Sequence, residues 1–137
     1  MAPMLRISRD VRDRIVAETA RDPAVEVCGL LLGQGLAVDT IEPCRNVAAD
    51  PATRFEIDPA ALLAAHRRAR AGGASVIGSY HSHPSGLAQP SPRDAADAAP
   101  DGSVWIVVAG TALTAWRAVD DGPLHGRFEP LACRPAR

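Results

Sequence analysis

The sequence predicts a mixed α/β domain: one sheet with helices packed on it. Three observations carry this. Residues 27–32, 75–80, 104–109 and 113–119 are short apolar runs bounded by Gly, Pro, Ser or Asp, as strands are. Between them lie segments with helical spacing and recognisable end signals. The chain is 47% hydrophobic and 23% charged, a balance that folds rather than stays disordered, and its 137 residues fit one domain spanning 1–137.

Taken in order, Ser8 caps a helix over about 9–20, in which Val11, Ile15 and Val16 share a face. Pro23 bars its continuation. Residues 26–33, closed by Gly33-Gln34-Gly35, read as a buried strand entering a hairpin, with 36–43 as its partner. Residues 54–57 alternate in character and predict a short strand. Asp58 caps the next helix, over 58–71; Pro59 takes its first position, arginines crowd its end, and Gly72 and Gly73 stop it. The strand 75–80 feeds directly into His81. A short helix follows over 91–99, stopped by Pro100. Strands at 104–109 and 113–119 come next, with a last one near 124–128. No internal repeat or linker is visible.

Composition excludes several function classes. A formal net charge of -1 creates no field for nucleic acid or an anionic membrane. No apolar run approaches the roughly 20 residues of a membrane span. The opening MAPMLRISRD lacks the apolar core of a secretory signal. The three cysteines, Cys28, Cys44 and Cys133, form no CxxC pair; they predict reduced thiols and a cytoplasmic protein. Every basic residue is arginine, so the chain offers no lysine amine to an isopeptide-linked modifier.

The chemistry concentrates in HSHPSGLAQPSPRD, residues 81–94. On an extended strand alternate side chains share a face, so His81 and His83 point together and Ser82 points away. Two imidazoles so placed can share one cation, and neutral imidazole suits zinc. Pro84 and Gly86 turn the chain, which restarts as a helix at Ser91-Pro92 with Asp94 in its first turn. Asp94 can supply a third ligand. Three protein ligands leave a fourth position open, the pattern of a catalytic zinc. A base is also needed, and Glu26 is the best-placed carboxylate in the sequence, at the head of an apolar strand. Simpler roles compete: Ser91 as an N-cap and Asp94 as a first-turn acid facing the helix dipole. Cys28 reads as a buried structural thiol, Trp105 and Trp116 as core, His66 as a helix-end residue and His125 as a loop or edge residue outside the site.

A glutamate before a glycine-containing apolar strand, then His-Ser-His-Pro, six residues, Ser, two residues and Asp, closely resembles the JAMM (MPN+) metalloproteases. Glu26, His81, His83, Pro84, Ser91 and Asp94 match the motif, and the order of elements is similar over roughly 5–130. Cupin, metallo-β-lactamase and zinc-deaminase patterns fit less well, for want of the glutamate, the HxHxDH run and the PCxxC pair. The resemblance implies a JAB/MPN-like, cytidine-deaminase-like central mixed sheet flanked by helices. It implies one zinc ion per chain on His81, His83 and Asp94, with Glu26 deprotonating the catalytic water and Ser91 serving the oxyanion. It also implies a partner: the C-terminal tail of a ubiquitin-like or sulfur-carrier protein, lying in the active-site groove. Small prokaryotic members hydrolyse the bond after the carrier's diglycine, releasing cysteine or another amino acid, a step in cysteine biosynthesis. An isopeptidase acting on modified lysines uses the same chemistry. A non-catalytic MPN scaffold, the third reading, usually lacks the ligands that this chain keeps.

Overall fold

In the computed structural model, which describes residues 3–135, the helices form where their end signals stand. Strand β1 (Met4–Ile7) is followed by helix α1 (Arg9–Thr19), where the Ser8 hydroxyl accepts the Val11 N–H. Strands β2 (Cys28–Gln34) and β3 (Ala37–Cys44) make the expected hairpin. Helix α2 (Pro59–Arg70) starts at Asp58, whose carboxylate accepts the Ala60 N–H. Strand β4 (Ser75–Ser82) leads to helix α3 (Pro92–Asp97), then to β5 (Val104–Ala109), β6 (Ala112–Gly122) and β7 (Gly126–Arg134).

The strands close into a ring in the order β1-β3-β2-β4-β5-β6-β7. The sheet is mixed, as expected. β1 runs parallel to both β3 and β7, and β4 runs parallel to β5; the other pairs are antiparallel. One face of the sheet carries Leu5, Leu31, Ile41, Tyr80, Ile106, Val108 and Leu131, which bury against Ile15 of α1 to form the main core. The other face carries His81, and there Ala118 and Phe128 pack with Ala98 from the end of α3 in a smaller cluster flanked by Trp105 and Trp116.

Two expectations are corrected, and one strand is found where none was expected. Residues 54–57 form no strand: only Ile57 makes an isolated bridge, to Asn46. Around that bridge the Val47 N–H donates to the Glu56 carbonyl and the Asp58 N–H to the Arg45 carbonyl, while the Asn46 side chain donates to the Arg54 carbonyl and accepts from the Glu56 N–H. The last strand is Gly126–Arg134, whereas Leu124 and Phe128 form the tight turn that enters it. β1 carries too few residues to show a period, yet it closes the ring and buries Leu5 and Ile7.

Gly29 matters for a steric reason. A β-carbon there would run into the Tyr80 ring, which lies across it on the neighbouring strand. Gly29→Ala is therefore expected to cost about 1–3 kcal/mol of overpacking strain, measured by denaturant unfolding. Tyr80→Phe should behave oppositely. The Tyr80 hydroxyl is buried without a hydrogen-bond partner, so its removal should leave stability unchanged or raise it.

Candidate metal centre

The end of β4 builds the site. His81 is fully buried on the face opposite the main core. Its ring stacks on Phe55, with centroids 4.2 Å apart and planes 21° from parallel, and meets Trp105 edge-on. His83 sits one residue past the strand, its N–H donating to the Val108 carbonyl at 2.8 Å. The His83 Nδ1–H donates to the Leu87 carbonyl at 2.9 Å. That bond fixes the tautomer and turns the Nε2 lone pair inward.

Ser82 points away, as strand alternation requires. Its hydroxyl accepts the Val27 N–H at 2.9 Å and so ties the segment before β2 to β4. Glu26 lies in that segment, just before the strand rather than on it. Its N–H donates to the Pro51 carbonyl at 2.7 Å, and its carbonyl accepts from Asn46 Nδ2 at 2.8 Å. Held at both ends, Glu26 buries its carboxylate beside the histidines, only 5% exposed.

The capped helix supplies the fourth group. The Ser91 hydroxyl accepts the Asp94 N–H at 3.0 Å, and Asp94 Oδ2 accepts the Ser91 N–H at 2.9 Å. This is a reciprocal capping box. It also aims Asp94 Oδ2 at the histidines. His81 Nε2 and His83 Nε2 are 3.0 Å apart, and each is 3.1 Å from Asp94 Oδ2. With a Glu26 oxygen included, the ligand atoms of all four residues lie within 4.8 Å of one another. Helix cap and candidate ligand are thus compatible: the cap uses one lone pair of Ser91 and leaves its hydroxyl hydrogen free.

The electrostatics follow from this crowding. Burial raises the Glu26 carboxyl from 4.5 to about 7; nearby Asp94 adds to the rise and His83 opposes it. Burial lowers His81, against the pull of Asp94. Burial would also lower His83, but the bonds to Asp94 and the Leu87 carbonyl win and its value rises. Burial would raise Asp94, yet the two histidines hold it well below the usual carboxylate range. Burial pushes Cys28 up to about 12, consistent with an inert structural thiol.

These residues fit a metal ion. With its tautomer fixed, His83 presents a lone pair to the lone pairs of Asp94, a repulsive arrangement unless positive charge lies between them. Glu26 Oε1 is buried with no partner at all. The ligand-atom spacing approaches the roughly 3.3 Å edge of a tetrahedron around zinc with ligands about 2.0 Å away. The structure thus brings together all five residues singled out in the sequence: Glu26, His81, His83, Ser91 and Asp94.

A sequence pattern of the family described as prokaryotic homologues of the JAB domain matches residues 8–120. The chain belongs to this JAB-domain family. It is 35% identical over 109 residues to a desampylase of Haloferax volcanii, covering 75% of this chain and 78% of that protein. It is 37% identical over 95 residues to a probable TtuB-protein conjugate cleaving protease of Thermus thermophilus, covering 69% of this chain and 64% of that protein. A solution structure of a protein from Desulfitobacterium hafniense superposes with a TM-score of 0.81 at 22% identity, covering 98% of this chain and 94% of that one. That likeness establishes the fold, an α/β JAB sheet with helices on it.

Sequence reasoning missed the supports of this JAB site. Phe55 orients His81, Asn46 and Ser82 hold the Glu26 segment, and none carries a motif of its own. Only the alternation that placed Ser82 opposite the histidines hinted at its task. Among the described residues, no helix is long and apolar enough to cross a membrane.

The raised Glu26 value gives a pH signature in the metal-free protein. A carboxyl whose folded value exceeds its unfolded one favours the folded state below about 4.5, and that contribution is lost as pH rises through about 7. Metal-free Glu26→Gln should therefore melt above metal-free wild type, by a margin that widens from pH 4.5 to pH 8 in scanning calorimetry. A margin that does not change with pH would show that Glu26 ionises freely.

Proposed function

We propose that this chain is a zinc peptidase that hydrolyses the bond after the C-terminal diglycine of a ubiquitin-like sulfur-carrier protein, releasing an amino acid such as cysteine. It works as one domain with one zinc ion, in the cytoplasm. The observation that carries this reading is the buried convergence of His81, His83 and Asp94 beside a Glu26 carboxyl that titrates near neutrality. Two imidazoles and one carboxylate are a typical ligand set for a catalytic zinc with an open position.

His81, His83 and Asp94 would hold the ion. When bound, zinc acidifies a water and polarises the carbonyl to be attacked. Glu26 takes the proton from the attacking water and hands it to the leaving nitrogen, so the proton count closes within one carboxylate. The Ser91 hydroxyl hydrogen, left free by the cap, donates to the carbonyl oxygen as that oxygen gains charge. The mouth is a cleft of about 190 Å³ lined by Glu26, Ala52, Thr53, His83, Pro84, Ser85 and Ser91. Small side chains frame it, which suits a substrate segment that has no side chains at the scissile end.

A second reading is an isopeptidase that removes such a modifier from lysines of other proteins. The Thermus relative favours it, since its name describes cleavage of a protein conjugate. The two readings differ only in the leaving amine. They separate in one mass-spectrometric assay containing a carrier with a C-terminal cysteine extension and a lysine-linked conjugate. Cleavage of the extension and not the conjugate supports the first reading; the reverse selects the second; cleavage of neither sinks both.

His83→Ala should lose both zinc, by elemental analysis, and activity. Glu26→Gln should keep zinc and lose most turnover. Ser91→Ala is expected to lower kcat by about 10²-fold, as for other oxyanion donors, and to cost about 1 kcal/mol through the lost cap. If Ser91→Ala loses stability with kcat unchanged, the hydroxyl serves the helix alone.

A further inference from the structure

The loop 84–90 joins two ligands of the centre, His83 and Asp94, and has no regular structure of its own. Gly86 turns it with a φ of 87°, and Pro84 and Pro90 lie near its ends. A loop of this kind should let Asp94 drift. Instead, three of its carbonyls are held by side chains. His83 itself takes Leu87. The Thr114 hydroxyl donates to the Ala88 carbonyl at 2.8 Å. His125 Nε2–H donates to the carbonyl of Pro90, a fully buried residue, at 3.1 Å.

Thr114 is itself oriented. Trp116 Nε1–H donates to the Thr114 oxygen at 2.9 Å, so the single hydroxyl hydrogen is left to face Ala88. The register ties this clamp to the ligands. His81 pairs with Val107, and Val107 pairs with Thr114, so all three stand in one row on one face of the sheet. The loop is therefore fastened to the same rigid row that presents His81. His125 reaches Pro90 from a backbone φ of 54°, a left-handed conformation uncommon for a residue with a side chain.

We propose that Thr114, oriented by Trp116, and His125 are positioning residues that hold Asp94 at coordination distance from His81 and His83. They touch no reacting atom; they act through the backbone of the loop. This inference rests on the reading of His81, His83 and Asp94 as metal ligands. Supporting groups of this class typically shift metal affinity by about 10–100-fold when removed.

The test measures affinity for Zn²⁺ by competition with a chelating dye, together with the melting temperature of the metal-free protein and with kcat and KM. Thr114→Val removes only the hydroxyl, and Thr114→Ser restores it. His125→Gly removes the ring at a φ that glycine adopts readily. Thr114→Val and His125→Gly should each bind zinc about tenfold more weakly and lower kcat with KM unchanged. The metal-free melting temperature should stay near that of wild type, and Thr114→Ser should recover both affinity and kcat. Wild-type zinc affinity in both Thr114→Val and His125→Gly overturns the proposal. So does a loss of metal-free stability that accounts for the weaker binding, because the role would then be structural only. If wild type takes up no zinc, the metal reading itself fails and takes this one with it; if wild type binds and the variants bind equally, the clamp alone is refuted.

Discussion

Lone pairs buried face to face are the constraint around which this molecule is arranged. His81 Nε2, His83 Nε2 and Asp94 Oδ2 meet at 3.0 to 3.1 Å, with a Glu26 oxygen close by. No arginine reaches into the cluster to neutralise it, among the described ion pairs. A protein that keeps such a set dry needs positive charge at its centre, either protons or a cation. That requirement explains the opposing shifts: Glu26 holds its proton up to about 7 while Asp94 stays ionised. Carboxyls with values pushed apart in one site are what acid–base work at neutral pH calls for.

The cluster survives because its four members come from differently anchored pieces of chain. His81 belongs to a central strand, His83 to the turn after it, Asp94 to a capped helix and Glu26 to a connector. Ser82 is the economical element in this plan. It sits between the two histidines, points the other way, and pins the connector that carries Glu26. One strand with a period of two thus serves both halves of the site. Asn46 completes the hold with four hydrogen bonds, two given and two received, which also organise the segment leading to Phe55.

What was legible in the sequence was whatever depends on local geometry. His81 and His83 share a side because strands alternate. Ser91 and Asp94 announce a helix start, and that capping chemistry happens to aim the carboxylate. Asp58-Pro59 and Gly72-Gly73 bracket α2 for equally local reasons. Glu26 was legible as a carboxylate at the head of an apolar strand, and the family pattern added its tie to the histidines, since nothing local links it to residues far downstream. Phe55, Asn46 and Thr114 were silent, and His125 read as a loop or edge residue outside the site, because their roles depend on which strands lie side by side. The false strand at 54–57 has the same origin: its alternation is real, but residues 45–47 give it only a single bridge, and the Asn46 side chain supplies further bonds.

The closure of the ring by β1 bears on how the molecule assembles. β1 pairs with β3 at only two positions, Arg6 with Ala37 and Ile7 with Val38. Its other pairing sets Met4 beside Ala132, at the opposite end of the chain. A contact that distant carries a loop-closure cost and gives nothing until β7 is in place. The antiparallel pairs β2–β3 and β6–β7 form locally, so the ring gains its last stave late. Until then one side of β7 presents unpaired backbone groups. A chain that has not yet docked β1 therefore offers the edge of β7 for self-association, even though no residue of the metal centre lies on β1.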